Sequence, residues 1–235
     1  MNEKKILKGQ EYKLRENINN LKKEIYTTCR ETGRDMKDVT LIAATKYASA
    51  EQVRLISGLG IKNFGENRAE ELKEKYNMVR KNSVWHFIGH LQRRKAKIVV
   101  PRVDFIHSID KISTLIKVDD ESKKNNKIQK LLIELNISGE ETKYGIDPED
   151  LYSFISKALN YRNTKIVGLM TIAPLTDDFG LIRKIFRRLR ILKDNLNKDF
   201  DCIKLTELSM GMSNDFKIAI EEGATMVRIG TIIFK

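Results

Sequence analysis

Lys46 ends an apolar run, residues 41–46 (LIAATK), and the signal for a helix start follows it at once. A lysine ammonium is costly to desolvate and its pKa falls on burial, so a lysine at the end of a buried strand is a candidate amine nucleophile. The alternative is a lysine whose stem packs on the strand while its head reaches water. The other residues capable of chemistry bear on this choice.

Two segments near the end of the sequence combine glycine with groups that bind anions. Residues 209–213 (SMGMS) precede a predicted helix, so hydroxyls and helix N–H groups could hold an anion close to Gly211. Residues 228–231 (RIGT) add a cation, a second glycine and a hydroxyl. The alternative for Ser213 is an ordinary helix N-cap.

His86 and His90 have the H-x-x-x-H spacing of a helical zinc site, but they lie on a predicted strand. Four residues of strand span about 13 Å, which is too far for both imidazoles to bind one ion. We therefore predict no metal site. His86 is expected to be a hydrogen-bonded core residue, and His90, beside Gly89 at the strand end, is the better candidate for a functional site.

The elements that would position these residues alternate along the chain. An amphipathic helix is predicted over residues 2–30. Ser49 and Gln52 form the pattern of a capping box after the first strand, and Asn67 with Glu70 forms a similar helix start after the second. Apolar runs predict eight strands, at residues 39–46, 61–65, 84–89, 105–109, 130–137, 166–172, 205–210 and 225–229.

Eight evenly spaced strands that alternate with helices favour one closed parallel barrel, the TIM-type (β/α)8 fold, over residues 1–235 as a single domain. An open doubly wound sheet is the alternative, because strand order cannot be read from one sequence. The eighth strand has no predicted helix behind it, so we expect the N-terminal helix to cover that side of the barrel.

In such barrels the functional site lies at the C-terminal ends of the strands, and phosphate is often bound after strands seven and eight. Lys46 would therefore face both glycine-containing segments across one mouth. This arrangement predicts a lysine Schiff base with a phosphorylated aldehyde, of which pyridoxal 5'-phosphate (PLP) is the commonest.

The chain carries a formal net charge of +12, which favours anionic partners. A basic protein that binds RNA or a membrane surface is therefore a further alternative, and its binding would weaken steeply with salt. The basic residues within 183–190 lie on a predicted amphipathic helix, which favours a solvated face. No signal peptide and no run of about 18 apolar residues occurs, so the expected location is the cytosol, without a membrane.

Seven short motifs resemble the pyridoxal phosphate homeostasis protein family, the single-domain relatives of the alanine racemase barrel, in order and spacing. They lie at residues 44–46 (ATK), 64–67 (FGEN), 85–92 (WHFIGHLQ), 136–143 (NISGEETK), 168–171 (GLMT), 208–213 (LSMGMS) and 227–231 (VRIGT). The resemblance implies a barrel like the alanine racemase N-terminal domain, with PLP held as an aldimine of Lys46.

The resemblance also implies roles for other residues. The phosphate would be surrounded by Ser209, Gly211, Ser213, Gly230 and Thr231. Arg228 would face the pyridine nitrogen and keep it unprotonated, which weakens the ring as an electron sink. Asn67 and His90 would line the surroundings of the ring.

The function implied is intracellular PLP homeostasis, in which the chain carries and buffers the cofactor without robust turnover. The alternative is a PLP-dependent amino-acid racemase with Lys46 as a catalytic residue. Racemases of that family resemble a barrel with a C-terminal β domain that supplies a second base, and we expect this chain to lack that domain. The expected partners are PLP and PLP-dependent apoenzymes, without nucleic acid, and the chain is expected to be a monomer.

Overall fold

Eight parallel strands form a closed barrel, in which each strand pairs with the next along the chain and the last pairs with the first. The computed structural model describes residues 3–79, 82–140 and 142–235, so residue 2 of the first predicted helix and Glu141 of the NISGEETK motif lie outside the described residues. The TIM-type barrel is confirmed, and the alternative of an open doubly wound sheet is wrong. The strands are β1 Thr40–Ala44, β2 Asn63–Glu66, β3 Val84–Phe87, β4 Phe105–Ile109, β5 Gln129–Glu134, β6 Thr164–Met170, β7 Glu207–Ser209 and β8 Met226–Ile229.

Several strands are shorter than the apolar runs that predict them. The first run covers residues 39–46, but β1 ends at Ala44. The N–H of Ala48 donates to the carbonyl of Thr45 at 2.9 Å, so the chain already turns there. The turn carries Lys46 away from the sheet and to the C-terminal end of the barrel.

Helices follow the strands around the outside of the barrel. The capping box of Ser49 and Gln52 is confirmed, with both reciprocal hydrogen bonds present. The predicted cap at Asn67 is wrong, because α3 begins after Arg68 and no side chain caps it. The helices are α1 Glu3–Glu31, α2 Ala50–Gly58, α3 Ala69–Lys75, α4 Ala96–Val99, α5 Ile112–Lys124, α6 Leu151–Ala158, α7 Phe179–Asp199, α8 Phe216–Glu221 and α9 Thr231–Phe234.

The N-terminal helix α1 closes the side of the barrel next to β8, as predicted. Its apolar stripe, which includes Leu14, Ile18 and Leu21, is buried, and α1 packs against α8 and α9. Asn17 Nδ2 also donates to the carbonyl of Ile233 at 3.1 Å. The prediction that no helix follows the eighth strand is wrong, because the short helix α9 begins at Thr231.

The basic segment of α7 packs against α8 through an ion-pair cluster. Arg183, Arg187 and Arg190 place guanidinium nitrogens 3.2, 2.8 and 3.2 Å from the carboxylate of Glu222. Glu222 is only 3% exposed. The predicted solvated face is therefore correct only in part, because these three arginines join two helices.

Within the described ranges, no helix combines the length and apolar character needed to cross a membrane.

Candidate functional site

A cavity of about 440 Å³ opens at the C-terminal ends of the strands. Its walls come from the C-terminal ends of β1 and β8 and from the segments that follow β1, β2, β3, β6, β7 and β8. These segments are brought together by barrel closure, which pairs β8 with β1. Six of the nine residues predicted for the site line this cavity, namely Lys46, Asn67, Ser213, Arg228, Gly230 and Thr231.

The Lys46 ammonium lies 5.0 Å from the ring centroid of Tyr47, which is close enough for a cation–π contact. Lys46 is exposed, and no described carboxylate lies within ion-pair distance of its ammonium. The exposure of Lys46 agrees with the alternative in which the head of the side chain reaches water. Its amine lines the cavity and is accessible from solvent.

The other three predicted residues lie outside the cavity wall. His90 stacks on Tyr144, with ring centroids 3.8 Å apart. Ser209 is fully buried, and its hydroxyl contacts Arg228 from behind. Gly211 has a φ of +93°, and a Cβ on it would lie 2.5 Å from the Cβ of Ala219 on α8. Gly211 is therefore required by close packing of the loop on α8, and not by an open approach to the cavity.

A chain of hydrogen bonds crosses the barrel interior and ends at Arg228. His86 Nε2 lies 3.1 Å from Asn63 Oδ1, and His86 Nδ1 lies 2.9 Å from His107 Nε2. His107 Nδ1 lies 2.9 Å from Ser209 Oγ. Arg228 Nη1 donates a hydrogen bond to the same hydroxyl. The prediction that His86 is a hydrogen-bonded core residue is confirmed.

One arrangement of protons satisfies every link of this chain. A guanidinium only donates, so Ser209 Oγ accepts from Arg228 and gives its own proton to His107 Nδ1. Both imidazoles are then neutral and protonated on Nε2. Burial, assisted by the charge of Lys130, lowers the pKa of His86 to about 3. Burial, together with His86 and Arg228, also holds the pKa of His107 well below 6.5.

Arg228 carries the positive charge at the end of this chain of bonds that lies at the cavity. Its Nη2 donates to the carbonyl of Thr171 at 2.9 Å. Burial lowers the pKa of Arg228 to about 10, while the carboxylates of Asp215 and Glu134 act in the opposite direction. The guanidinium therefore stays charged at neutral pH and presents donors to the cavity.

Glu134 at the end of β5 is 6% exposed. Burial and the charge of Asp110 raise its pKa from 4.5 to about 7, although Arg228 acts to lower it. The folded state thus holds a proton that the unfolded state releases above pH 4.5. The contribution of that proton to the free energy of unfolding is therefore complete below pH 4.5 and is lost as the pH rises through about 7.

Substitution Glu134→Gln should therefore change stability in a pH-dependent way. Glutamine imitates the protonated acid, so the variant should gain on the wild type as the pH rises, by about 3 kcal/mol between pH 4.5 and pH 8. Urea unfolding of both proteins across this range measures the difference. A difference that stays constant with pH would contradict the raised pKa. Glu207→Gln, at the start of β7, controls for the loss of a carboxylate from a strand.

The Asn67 side chain presents an unused acceptor at the cavity. Asn67 Oδ1 is buried and has no hydrogen-bond partner within the described residues. A buried acceptor without a partner costs free energy, so a bound donor would stabilise it.

No three His, Cys, Asp or Glu side chains in the described ranges converge as a metal site.

Similarity to known proteins agrees with this geometry. A profile of the family described as "Alanine racemase, N-terminal domain" matches residues 13–235. A pyridoxal phosphate homeostasis protein of Aquifex aeolicus is 40% identical over 220 residues, which cover 93% of this chain and 96% of the relative. A solved structure of a protein from Bifidobacterium adolescentis is 31% identical with a TM-score of 0.90, and the match covers 96% of each chain. PipY of Synechococcus elongatus, solved with PLP bound, is 30% identical with a TM-score of 0.83, over 94% of this chain and 100% of that chain.

The closed barrel and the profile match define an alanine racemase N-terminal domain. Within that class, the chain belongs to the pyridoxal phosphate homeostasis protein family. The resemblance predicted from the seven motifs is confirmed.

Proposed function

We propose that the cavity binds PLP and that the chain serves intracellular PLP homeostasis, holding the cofactor through Lys46 without robust turnover. One observation carries the proposal: the Lys46 amine, the Arg228 guanidinium and the hydroxyls of Ser213 and Thr231 converge on one cavity of about 440 Å³. The PipY structure adds support, since a relative that is 30% identical was solved with PLP.

The groups at the cavity fit PLP one by one. Ser213, Gly230 and Thr231 would hold the phosphate, with two hydroxyls and bare backbone. Asn67 Oδ1, which has no partner, would accept from the ring hydroxyl. Ser209 would contribute by holding the Arg228 guanidinium in place. Gly211 would contribute by allowing its loop to pack closely on α8. His90 would contribute at the rim, where it stacks on a tyrosine.

When bound, PLP supplies an aldehyde that condenses with an amine. Lys46 would offer that amine from the end of β1. Arg228 would donate a hydrogen bond to the ring nitrogen, and because its guanidinium stays protonated at neutral pH it would not supply a proton there. Arg228 thereby limits electron withdrawal by the ring, which suits storage of the cofactor more than turnover.

Borohydride trapping tests this proposal. The purified protein should develop a visible absorption band with PLP, and reduction with borohydride followed by mass spectrometry should locate the label on Lys46. Lys46→Ala should lose the label. Lys62→Ala, which removes an exposed lysine at the opposite end of the barrel, should retain it.

A protein that stays colourless with PLP would overturn the proposal, and a label on another lysine would overturn the site. Steady racemisation of an amino acid, lost in Lys46→Ala, would favour the racemase instead. The proposed recipients of the cofactor are PLP-dependent apoenzymes in the cytosol. Tyr47 and Leu175, at the cavity wall and 87% and 92% exposed, offer apolar surface for a protein contact there.

A further inference from the structure

A buried ion pair lies directly behind the cavity residues Lys46 and Asn67. The side chains of Lys75 and Glu66 are 7% and 0% exposed, and Lys75 Nζ lies 2.7 Å from Glu66 Oε1. Lys75 projects from the last turn of α3, and Glu66 ends β2. The pair therefore ties the end of a helix to the end of the neighbouring strand.

The Lys75 ammonium has a partner for each of its three protons. Besides Glu66, it donates to the carbonyl of Thr45 at 2.8 Å and to Glu71 Oε2 at 3.1 Å. Three hydrogen bonds from one ammonium use all of its donors and restrain its orientation. The Lys75 side chain is therefore held in one place close to the site.

Glu66 uses its two carboxylate oxygens on two different strand ends. Its Oε1 accepts from the Thr45 hydroxyl at 2.6 Å, and its Oε2 accepts from the backbone N–H of Asn67 at 3.1 Å. Thr45 immediately precedes Lys46. Apart from the bond to Glu71, the bonds that this ion pair makes to other residues end on Thr45, which precedes Lys46, and on the backbone of Asn67, which lines the cavity.

Stability alone does not explain a charged pair in this position. A buried pair gains little over apolar residues of the same shape, because both charges must be removed from water. Its bonds are directional, however, and they hold Thr45, at the start of the loop that presents Lys46, and the backbone N–H of Asn67, which follows β2. A side-chain amine must be held close to the reacting position for efficient capture of an aldehyde.

We propose that Lys75 and Glu66 form a positioning pair, which fixes the backbone of Thr45 and Asn67 and so sets where the Lys46 amine meets its ligand. The inference rests on the proposed function for Lys46. It assigns roles in the site to two residues that do not line the cavity.

The test compares the wild-type protein with three variants of the pair and one control variant. Lys75→Met and Glu66→Gln each leave one member of the pair, and the double variant Lys75→Met/Glu66→Gln leaves no buried charge and should fold even if a single variant does not. Lys95→Met serves as the matched control. It removes the more exposed Lys95–Glu70 pair, which joins the same helix α3 to the segment between β3 and α4.

In the double variant, PLP should dissociate about tenfold faster than from the wild type. The pH midpoint of the visible band should shift, while Lys95→Met leaves both unchanged. Hydrogen exchange of the ligand-free protein should speed up at the amides of residues 45–48 and 67–69. A pair with a merely structural role would alter unfolding but leave the band and the dissociation rate as in the wild type, which would overturn the inference.

Failure of the proposed function would look different. The wild type itself would then show no band with PLP. Exchange at residues 45–48 still decides the positioning role in that case, because it needs no ligand: unchanged exchange in the double variant would overturn it.

Discussion

At pH 4 the free energy of unfolding should be about 3 kcal/mol lower than at pH 7 through His86 alone. Burial, with the charge of Lys130, lowers the pKa of His86 from 6.5 to about 3. The unfolded chain takes up a proton below pH 6.5, and the folded chain does so only near pH 3. The contribution of the neutral imidazole to the free energy of unfolding is therefore complete above pH 6.5 and is lost as the pH falls towards 3. His107 acts in the same direction, because burial also lowers its pKa.

Urea unfolding at pH 7, 6, 5 and 4, followed by the fluorescence of the single tryptophan, measures this loss. His86→Gln should reduce the loss, because an amide does not titrate. Glu134→Gln should increase it, because Glu134 takes up a proton in the folded state over the same range and so acts in the opposite direction. Equal pH dependence in the wild type and His86→Gln would contradict the burial of a neutral imidazole. His90→Gln controls for the loss of a histidine at the barrel mouth.

Gly89→Ala should lower the free energy of unfolding by about 3 kcal/mol and weaken PLP binding together with it. A Cβ on Gly89 would lie 2.3 Å from the carbonyl oxygen of Asn67 and 2.6 Å from its Cα. Backbone atoms cannot rotate away as the end of a flexible side chain can, so the segment after β2 must move. That segment carries Asn67, which lines the cavity.

The matched control is Gly58→Ala, at the last residue of α2. A Cβ there meets nothing within 4 Å, so alanine should raise the free energy of unfolding by about 0.5 to 1 kcal/mol. Urea unfolding and PLP titration of both variants give the comparison. A Gly89→Ala protein as stable as the wild type would contradict this prediction, because it would show that the segment after β2 can move at little cost in free energy.

The number of strands and their places along the chain could be predicted because each is a short apolar run between turn residues. The fourth strand agrees in both bounds, Phe105–Ile109. Helix starts were less predictable. Asn67 and Ser213 have the side chains of N-caps, yet α3 and α8 begin one or two residues later. A capping side chain can equally face a cavity, and local sequence does not distinguish these outcomes.

The site could be predicted in outline because barrel closure places every strand end at one mouth. Two groups of residues behind the cavity could not be predicted, namely the hydrogen-bonded chain that contains His107 and the Lys75–Glu66 ion pair. His107 gave only a weak signal, as a polar residue within an apolar strand, and Lys75 gave none among so many exposed lysines. Both acquire their partners from segments distant in sequence: His107 contacts Ser209, 102 residues away, and Lys75 contacts Thr45, 30 residues away.

The sequence by itself determined the alternation of eight strands with helices, the family and six of the residues that line the cavity, because periodicity and motif spacing are local properties of the chain. Only the tertiary structure decided which of these residues touch the cavity and which hold others in place. Lys46 proved to be exposed, while Ser209, His86 and His107 form the buried support of Arg228. The physical reason is that hydrogen-bond partners and burial depend on contacts across the closed barrel, which sequence spacing does not contain.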